Sequence, residues 1–226
     1  MGKDKIDAAA RRVDWRFACG LVFGFAILTA MIDLIPLFLF VLVMVGTPGP
    51  ANMVVMTAGA SFGFARAIPF ILGITMGKLM LNLGMGFGAF GLLQAYPLSL
   101  SILKYGSALY VLYLSYTMAK QPLMAQDEAM VNVPGFWSGL VVHPLNPKAW
   151  AMLTIAWTDY GNQINDPLIR VMIISGIFFS VQIVAHSTWC FAGDRLMKIV
   201  TGERLKTYIQ QGLAALTAIV VLIVIF

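Results

Sequence analysis

Thr47-Pro48-Gly49-Pro50 interrupts an apolar run that begins near Leu34 and resumes as Ala51-Asn52-Met53-Val54-Val55-Met56. Proline inside a helix removes a backbone hydrogen bond and clashes with the preceding turn, at a cost of roughly 3 kcal/mol. Two prolines around a glycine therefore predict that the helix opens here. If the surroundings are lipid, the freed backbone groups must be met by protein or by a watered cavity, so a break at mid-depth points to a functional site.

Composition says that the surroundings are lipid. Of 226 residues, 60% are hydrophobic and 11% charged, and the mean hydropathy is +0.85. Soluble domains carry about 25% charged residues, so the chain reads as an all-α, multi-pass membrane protein whose main partner is the bilayer. Its longest polar intervals, Lys120 to Pro134 and Gly193 to Thr207, are about 15 residues each, too short to bury a core of their own. The formal net charge is +5, but Lys3, Lys5, Arg11, Arg12 and Arg16 all precede the first apolar run. That excess reads as membrane topology and excludes nucleic acid as a partner. Cys19 and Cys190 lie in or beside apolar segments with no CxxC and no ligand spacing, which speaks against a disulfide or a metal site. No nucleophile with its base, metal motif or nucleotide loop is present, so no enzyme activity, catalytic residue, metal or cofactor is expected.

Six spans follow the break's own pattern, at about Leu34 to Ala58, Ala67 to Leu93, Leu98 to Ala119, Phe136 to Trp157, Leu168 to Ala192 and Tyr208 to Phe226. Each is near the roughly 20 residues that cross a hydrocarbon layer. Arg66, Lys120, Arg195, Lys198, Arg204 and Lys206 fall on one side and Lys104 and Arg170 on the other, which predicts a cytoplasmic first side and an external carboxy terminus. Residues 1–30 form an extension. Its short apolar run Phe17 to Ala30 reads either as a seventh, short helix or as a segment before a natural start at Met31.

Span two carries Gly73, Gly77, Gly84, Gly88 and Gly91, which at 100° per residue fall within about 60° of arc. Such a ridge predicts close helix packing, within the chain or in a homo-oligomer. Lys78 and Asn82 share another face at i, i+4 spacing. A second break, His143-Pro144-Leu145-Asn146-Pro147-Lys148-Ala149-Trp150, sits in span four. The two broken spans each open a group of three, so the second group must be upside-down relative to the first. This predicts an inverted repeat, 31–119 and 136–226, joined by the loop 120–135, with the binding site at the paired breaks.

Thr47-Pro48-Gly49-Pro50-Ala51-Asn52, then Gly63 and Gly73-x-x-x-Gly77, then Asn146-Pro147-Lys148-Ala149 resemble the motif set of the lysine exporter/threonine-homoserine exporter (LysE/RhtB) family of amino-acid efflux translocators. The resemblance runs from about Met31 to the carboxy terminus. It implies a small helical protein of a bacterial-type inner membrane that exports amino acids or their relatives, driven by the proton gradient. Similar proteins commonly have Asp directly after the second glycine of the GxxxG, where this chain has Lys78.

The residues themselves converge on the same place. Asn146 is a good N-cap with Pro147 at N1, so a half-helix should begin there. Thr47-Pro48 or Gly49-Pro50 offers the same start in span one. Two facing amino termini, each with roughly half a positive charge and free N–H donors, favour a carboxylate. Lys148 lies just inside the second half-helix, and Lys78 lies about 16 Å into span two, near the centre of a 30 Å layer. No Asp or Glu lies deep in a span, which argues against a dibasic substrate and leaves Asn52, Asn82 and freed carbonyls for an ammonium group. The expected substrate-binding set is therefore Thr47, Pro48, Gly49, Pro50, Asn52, Lys78, Asn82, Asn146, Pro147 and Lys148. Proton coupling needs a group that exchanges a proton in the bundle, and the candidates are Lys78, His143 and His186; Gln182, one turn from His186, adds to that face. Trp150, Trp157 and Trp189 read as interface or packing aromatics. The competing functions are export of a solute other than an amino acid and a non-transporting membrane assembly subunit.

Overall fold

The computed structural model describes residues 34–88, 97–120 and 133–225, and all regular structure among them is helical. The chain divides into Met1–Leu39 and Phe40–Phe226. Of the first unit only residues 34–39 are described, as the start of the first helix. The expected short N-terminal helix, Cys19, Gly91 and most of the loop 120–135 lie outside the described residues.

Helices α1 (Leu34–Gly46) and α2 (Pro50–Phe62) meet at 53° across residues 47–49. Gly63 then reverses the chain at φ +81°, a left-handed conformation that glycine alone adopts without a β-carbon penalty. Next come α3 (Phe64–Gly86) and α4 (Pro97–Ala119). The short α5 (Phe136–Leu140) leads through a turn at 141–145 to α6 (Pro147–Ile155). A π turn (Ala156–Tyr160) and a 3-10 turn (Gly161–Gln163) end that segment, before α7 (Pro167–Ile199) and α8 (Glu203–Ile225). The start of α7 shows why the sequence places it there: Pro167 fills N1, and Asp166 accepts from the backbone N–H groups of Leu168 (2.8 Å) and Ile169 (2.9 Å).

Helices α3, α7 and α8 are long and apolar enough to cross a membrane, and the bent pair α1 and α2 passes the same test when taken together, as a broken span or a re-entrant loop. Helix α4 has 23 residues, with its apolar stretch at Ala108–Ala119. The fourth expected span, Phe136 to Trp157, is divided among α5, the turn, α6 and the π turn. The outer faces expose large apolar side chains such as Val43, Met80, Leu109, Met172, Val184 and Ile219, as a lipid-facing surface requires. Val54, Val55, Phe70, Ile74, Met118 and Val142 form the buried core.

Glycines set the closest helix contacts. A β-carbon at Gly59 of α2 would overlap the Cys190 carbonyl of α7, and one at Gly193 of α7 would overlap the Met56 carbonyl of α2. In the same way Gly73 and Gly77 of α3 lie on the Phe136 and Leu140 carbonyls of α5, and Gly139 of α5 lies on the Phe70 carbonyl. Only part of the expected ridge is used this way, because α3 ends at Gly86 and Gly88 sits in the following turn at φ +86°. Helix α5 thus starts beside Gly73, nine residues along α3, or roughly 14 Å at 1.5 Å per residue. The fourth segment begins at depth, held there by glycines.

At one end of the bundle, Gln210 of α8 donates to Ser61 Oγ (3.1 Å) and to the Met118 carbonyl (2.7 Å), gathering the ends of α2 and α4 at the start of α8. Arg66, Lys120, Arg195, Lys198, Arg204 and Lys206 belong to the segments that begin or end there. Asp194, buried in the last part of α7, pairs with Lys198 at 2.7 Å.

Gly73→Ala and Gly77→Ala should each lower the melting temperature of the detergent-purified protein, by about 1–3 kcal/mol of overpacking. Gly106→Ala and Gly176→Ala, where an added β-carbon meets nothing within 4 Å, should be neutral or stabilising. Equal melting temperatures for the two pairs would contradict the packing described.

Candidate functional site

Where α1 stops, the last regular helix bond is to Val43 O, the five carbonyl groups of residues 44–48 lose the helix pattern, and each finds a donor. The Thr47 N–H donates to Val43 O (3.0 Å) and the Thr47 hydroxyl to Met44 O (3.1 Å). Asn52, one turn into α2, donates its amide to Val45 O (2.7 Å) and Thr47 O (2.9 Å). Trp189 of α7 donates its indole N–H to Gly46 O (3.2 Å). Lys148 Nζ of α6 donates to Thr47 O (3.3 Å), Thr47 Oγ1 (3.0 Å) and Pro48 O (3.5 Å). A lysine 101 residues away in sequence thus joins the two breaks directly.

The second break is closed by its own residues. Asn146 Oδ1 caps α6 by accepting from the Lys148 N–H (3.0 Å), with Pro147 at N1. Trp150 donates its indole N–H to Pro144 O (2.8 Å), and the Asn146 N–H donates to His143 O (2.9 Å). Tyr110 of α4 donates to Ser138 O of α5 (2.7 Å). Lys78, 1% exposed, donates to Ala149 O of α6 (3.2 Å) and lies over the Phe178 ring at 5.0 Å.

A cavity of about 280 Å³, its mouth included, lies where the breaks meet. Met44, Val45, Gly49, Ala51, Asn52, His143, Asn146, Lys148, Met152, Gln182 and His186 line it. The amino terminus of α2 opens on it: Gly49 provides no capping side chain and Pro50 no N–H. By helix geometry the N–H groups of Ala51 and Asn52 have no intrahelical acceptor. Across the cavity the rings of His143 and His186 stack at 5.5 Å with 13° between their planes. His143 is 4%, His186 1% and Gln182 0% exposed, and both nitrogens of His143, Nδ1 of His186 and both amide atoms of Gln182 lack a hydrogen-bond partner among the described residues. Such a cluster is what a site for a polar solute requires, since buried polar groups are otherwise paired. No group of three or more His, Cys, Asp or Glu side chains that could hold a metal exists among the described residues.

Of the sequence-derived candidates, the cavity gathers Gly49, Asn52, Asn146, Lys148, His143 and His186. Thr47 and Pro48 stand at the break, in contact with Lys148, and Pro50 and Pro147 serve as N1 residues. Lys78 and Asn82 are buried but do not line it: Lys78 braces α6, and Asn82 Oδ1 accepts from the Trp157 indole (2.8 Å). Since α3 starts at Phe64, Lys78 lies roughly 21 Å along the helix and about 12 Å from its end at Gly86, past the middle rather than at it. Sequence reasoning did not place Met44, Val45, Ala51 and Met152 at the site. It read Trp150, Trp157 and Trp189 as packing aromatics, whereas each donates a hydrogen bond in or beside the broken segments. Only Trp150, within a few residues of Pro144 and Asn146, carried a signal in the sequence; the partners of Trp157 and Trp189 lie 75 and 143 residues away.

This is a helical membrane protein with a small cavity, lined by polar and apolar side chains, where two helix breaks meet, the arrangement of a solute carrier. The sequence profile of the LysE type translocators matches residues 41–225, and the chain belongs to that family. It is a multi-pass membrane transporter and not an enzyme. Among its relatives, the cysteine/O-acetylserine efflux protein of Salmonella paratyphi A is 30% identical over 148 residues, covering 65% of this chain and 75% of the relative. The protein of that name in Escherichia coli K12 is 21% identical over 160 residues, 71% of this chain and 82% of the relative. No solved structure matches significantly.

Asn52→Leu leaves the Val45 carbonyl without its side-chain donor and should destabilise the protein by about 1–3 kcal/mol. Reversible unfolding in mixed detergent micelles checks this, and a variant as stable as the parent would remove Asn52 from its bridging role.

Proposed function

We propose that the protein is a secondary active exporter of amino acids or related small zwitterions and carboxylates, proton-coupled, with its site at the bilayer midplane between the two breaks. The observation that carries this reading is the bond from Lys148 Nζ to Thr47 beside the uncapped start of α2. The N–H groups at that start and the Lys148 ammonium both suit a carboxylate, one as a helix amino terminus and the other as a charge. A bound carboxylate competes with the Thr47 and Pro48 carbonyls for Lys148, so substrate loading loosens the joint between the breaks. The names of the relatives, efflux proteins for cysteine and O-acetylserine, support an amino-acid cargo.

In this reading the chain forms six spans in two inverted repeats of a bacterial inner membrane, with the carboxy terminus external and the basic end of the bundle cytoplasmic. His143 and His186, stacked at the cavity, are the groups best placed to exchange the coupled proton, with Lys78 behind α6 as the third candidate. The substrate ammonium group is met without a carboxylate, by carbonyl oxygens and neutral side chains, which disfavours dibasic cargo.

Everted membrane vesicles containing the protein should accumulate labelled amino acid when a pH gradient is imposed; accumulation independent of the gradient sinks the coupling. Lys148→Ala should abolish accumulation while the protein still inserts and purifies as a monodisperse species. Full transport by that variant would remove Lys148 from the site.

A further inference from the structure

We propose that Gln182 is the specificity-determining residue of the cavity, reading an uncharged hydrogen-bonding group on the substrate's side chain. This rests on the amino-acid reading above and goes beyond it in naming the side-chain class. The polar groups of the cavity fall into two sets. On one side Asn52 and Lys148 are engaged with the carbonyls of the first break, and Asn146 Oδ1 is engaged in capping α6. On the other, Gln182, His186 and His143 bring five polar atoms with no partner among the described residues. The first set surrounds a helix amino terminus and a cation, suited to a carboxylate. The second carries neither an acidic group nor a bound partner, and it is what remains for the other end of the solute.

Gln182 is the member of this wall whose donor and acceptor are fixed, since an amide neither titrates nor tautomerises as the two imidazoles do. Its side-chain carbonyl accepts and its NH₂ donates, and it is fully buried, one turn before His186 on the face of α7 that reaches the cavity. A buried amide left unpaired disfavours the complex, so the residue discriminates by what the ligand returns to it. A hydroxyl, thiol, amide or ester on the cargo satisfies it, and an alkyl group of the same shape does not. Met44, Val45 and Met152 supply the apolar remainder of the lining, which tolerates either shape. No lining residue is an acid, so a cationic side chain finds no charged partner.

The test is equilibrium binding to the purified full-length protein in lipid nanodiscs, using two isosteric pairs, L-threonine with L-valine and L-homoserine with L-norvaline. The hydroxyl member of each pair should bind about 10- to 100-fold tighter than its alkyl partner. Gln182→Leu should bring the members of each pair within about threefold while affinity for valine and norvaline is kept or raised. Gln182→Met provides the same reading should the leucine variant fail to fold. Equal affinities within both pairs on the parent protein, or a hydroxyl preference retained in the variants, would overturn the role of Gln182 and leave the amino-acid reading standing. Binding of none of the four to the parent protein overturns both.

Discussion

A helix that stops within an apolar bundle releases carbonyl groups that need new donors, and the structure depends on how those at the end of α1 are paired. An unpaired polar group there costs several kcal/mol. The donors come from the break itself, from α2, from α6 and from α7: Thr47, Asn52, Lys148 and Trp189. Three elements far apart in sequence are therefore drawn to one point by an elementary requirement of backbone chemistry. The cavity forms there because the helices that bring donors to the break also surround it.

The same requirement explains two lysines in an apolar bundle. A charged side chain at the centre of a membrane helix costs about 2.5–3.5 kcal/mol on the insertion scale. Lys148 and Lys78 each recover part of this from backbone carbonyls, Lys148 at the first break and Lys78 at Ala149 in the first turn after the second. Neither is paired with a carboxylate in a salt bridge among the described residues. Carbonyl oxygens accept from a lysine amine without bringing a formal negative charge into the region between the breaks. At Lys78 the bracing of α6 is a property of the long side chain present here, which reaches the Ala149 carbonyl.

Much of this was legible in the sequence where the physics is local. Proline and glycine at 48–50, and asparagine followed by proline at 146–147, dictate the breaks and the cap of α6 through φ restriction and side-chain capping alone. The site was legible in part, because Lys148, Asn52 and the histidines stand beside those breaks or on a polar helix face. Partners that depend on how helices are arranged were not legible. Nothing near Trp189 in sequence signals Gly46, and nothing about Lys78 signals that it lies behind α6. The depth of α5 escaped as well, since five residues have no periodicity to read and their place is set by Gly73 and Gly77 on another helix.

The reciprocal glycines have a mechanical consequence. At Gly59 and Gly193 between α2 and α7, and at Gly73, Gly77 and Gly139 between α3 and α5, main chain rests on main chain, with no side chain at those points whose rotamers could absorb a slide. Packed helices shear by small side-chain readjustments, and these two seams have none to give. A slide at either seam is therefore opposed by backbone at these points, whereas the bond from Lys148 of α6 to Thr47 lies outside both seams and is made by a flexible side chain.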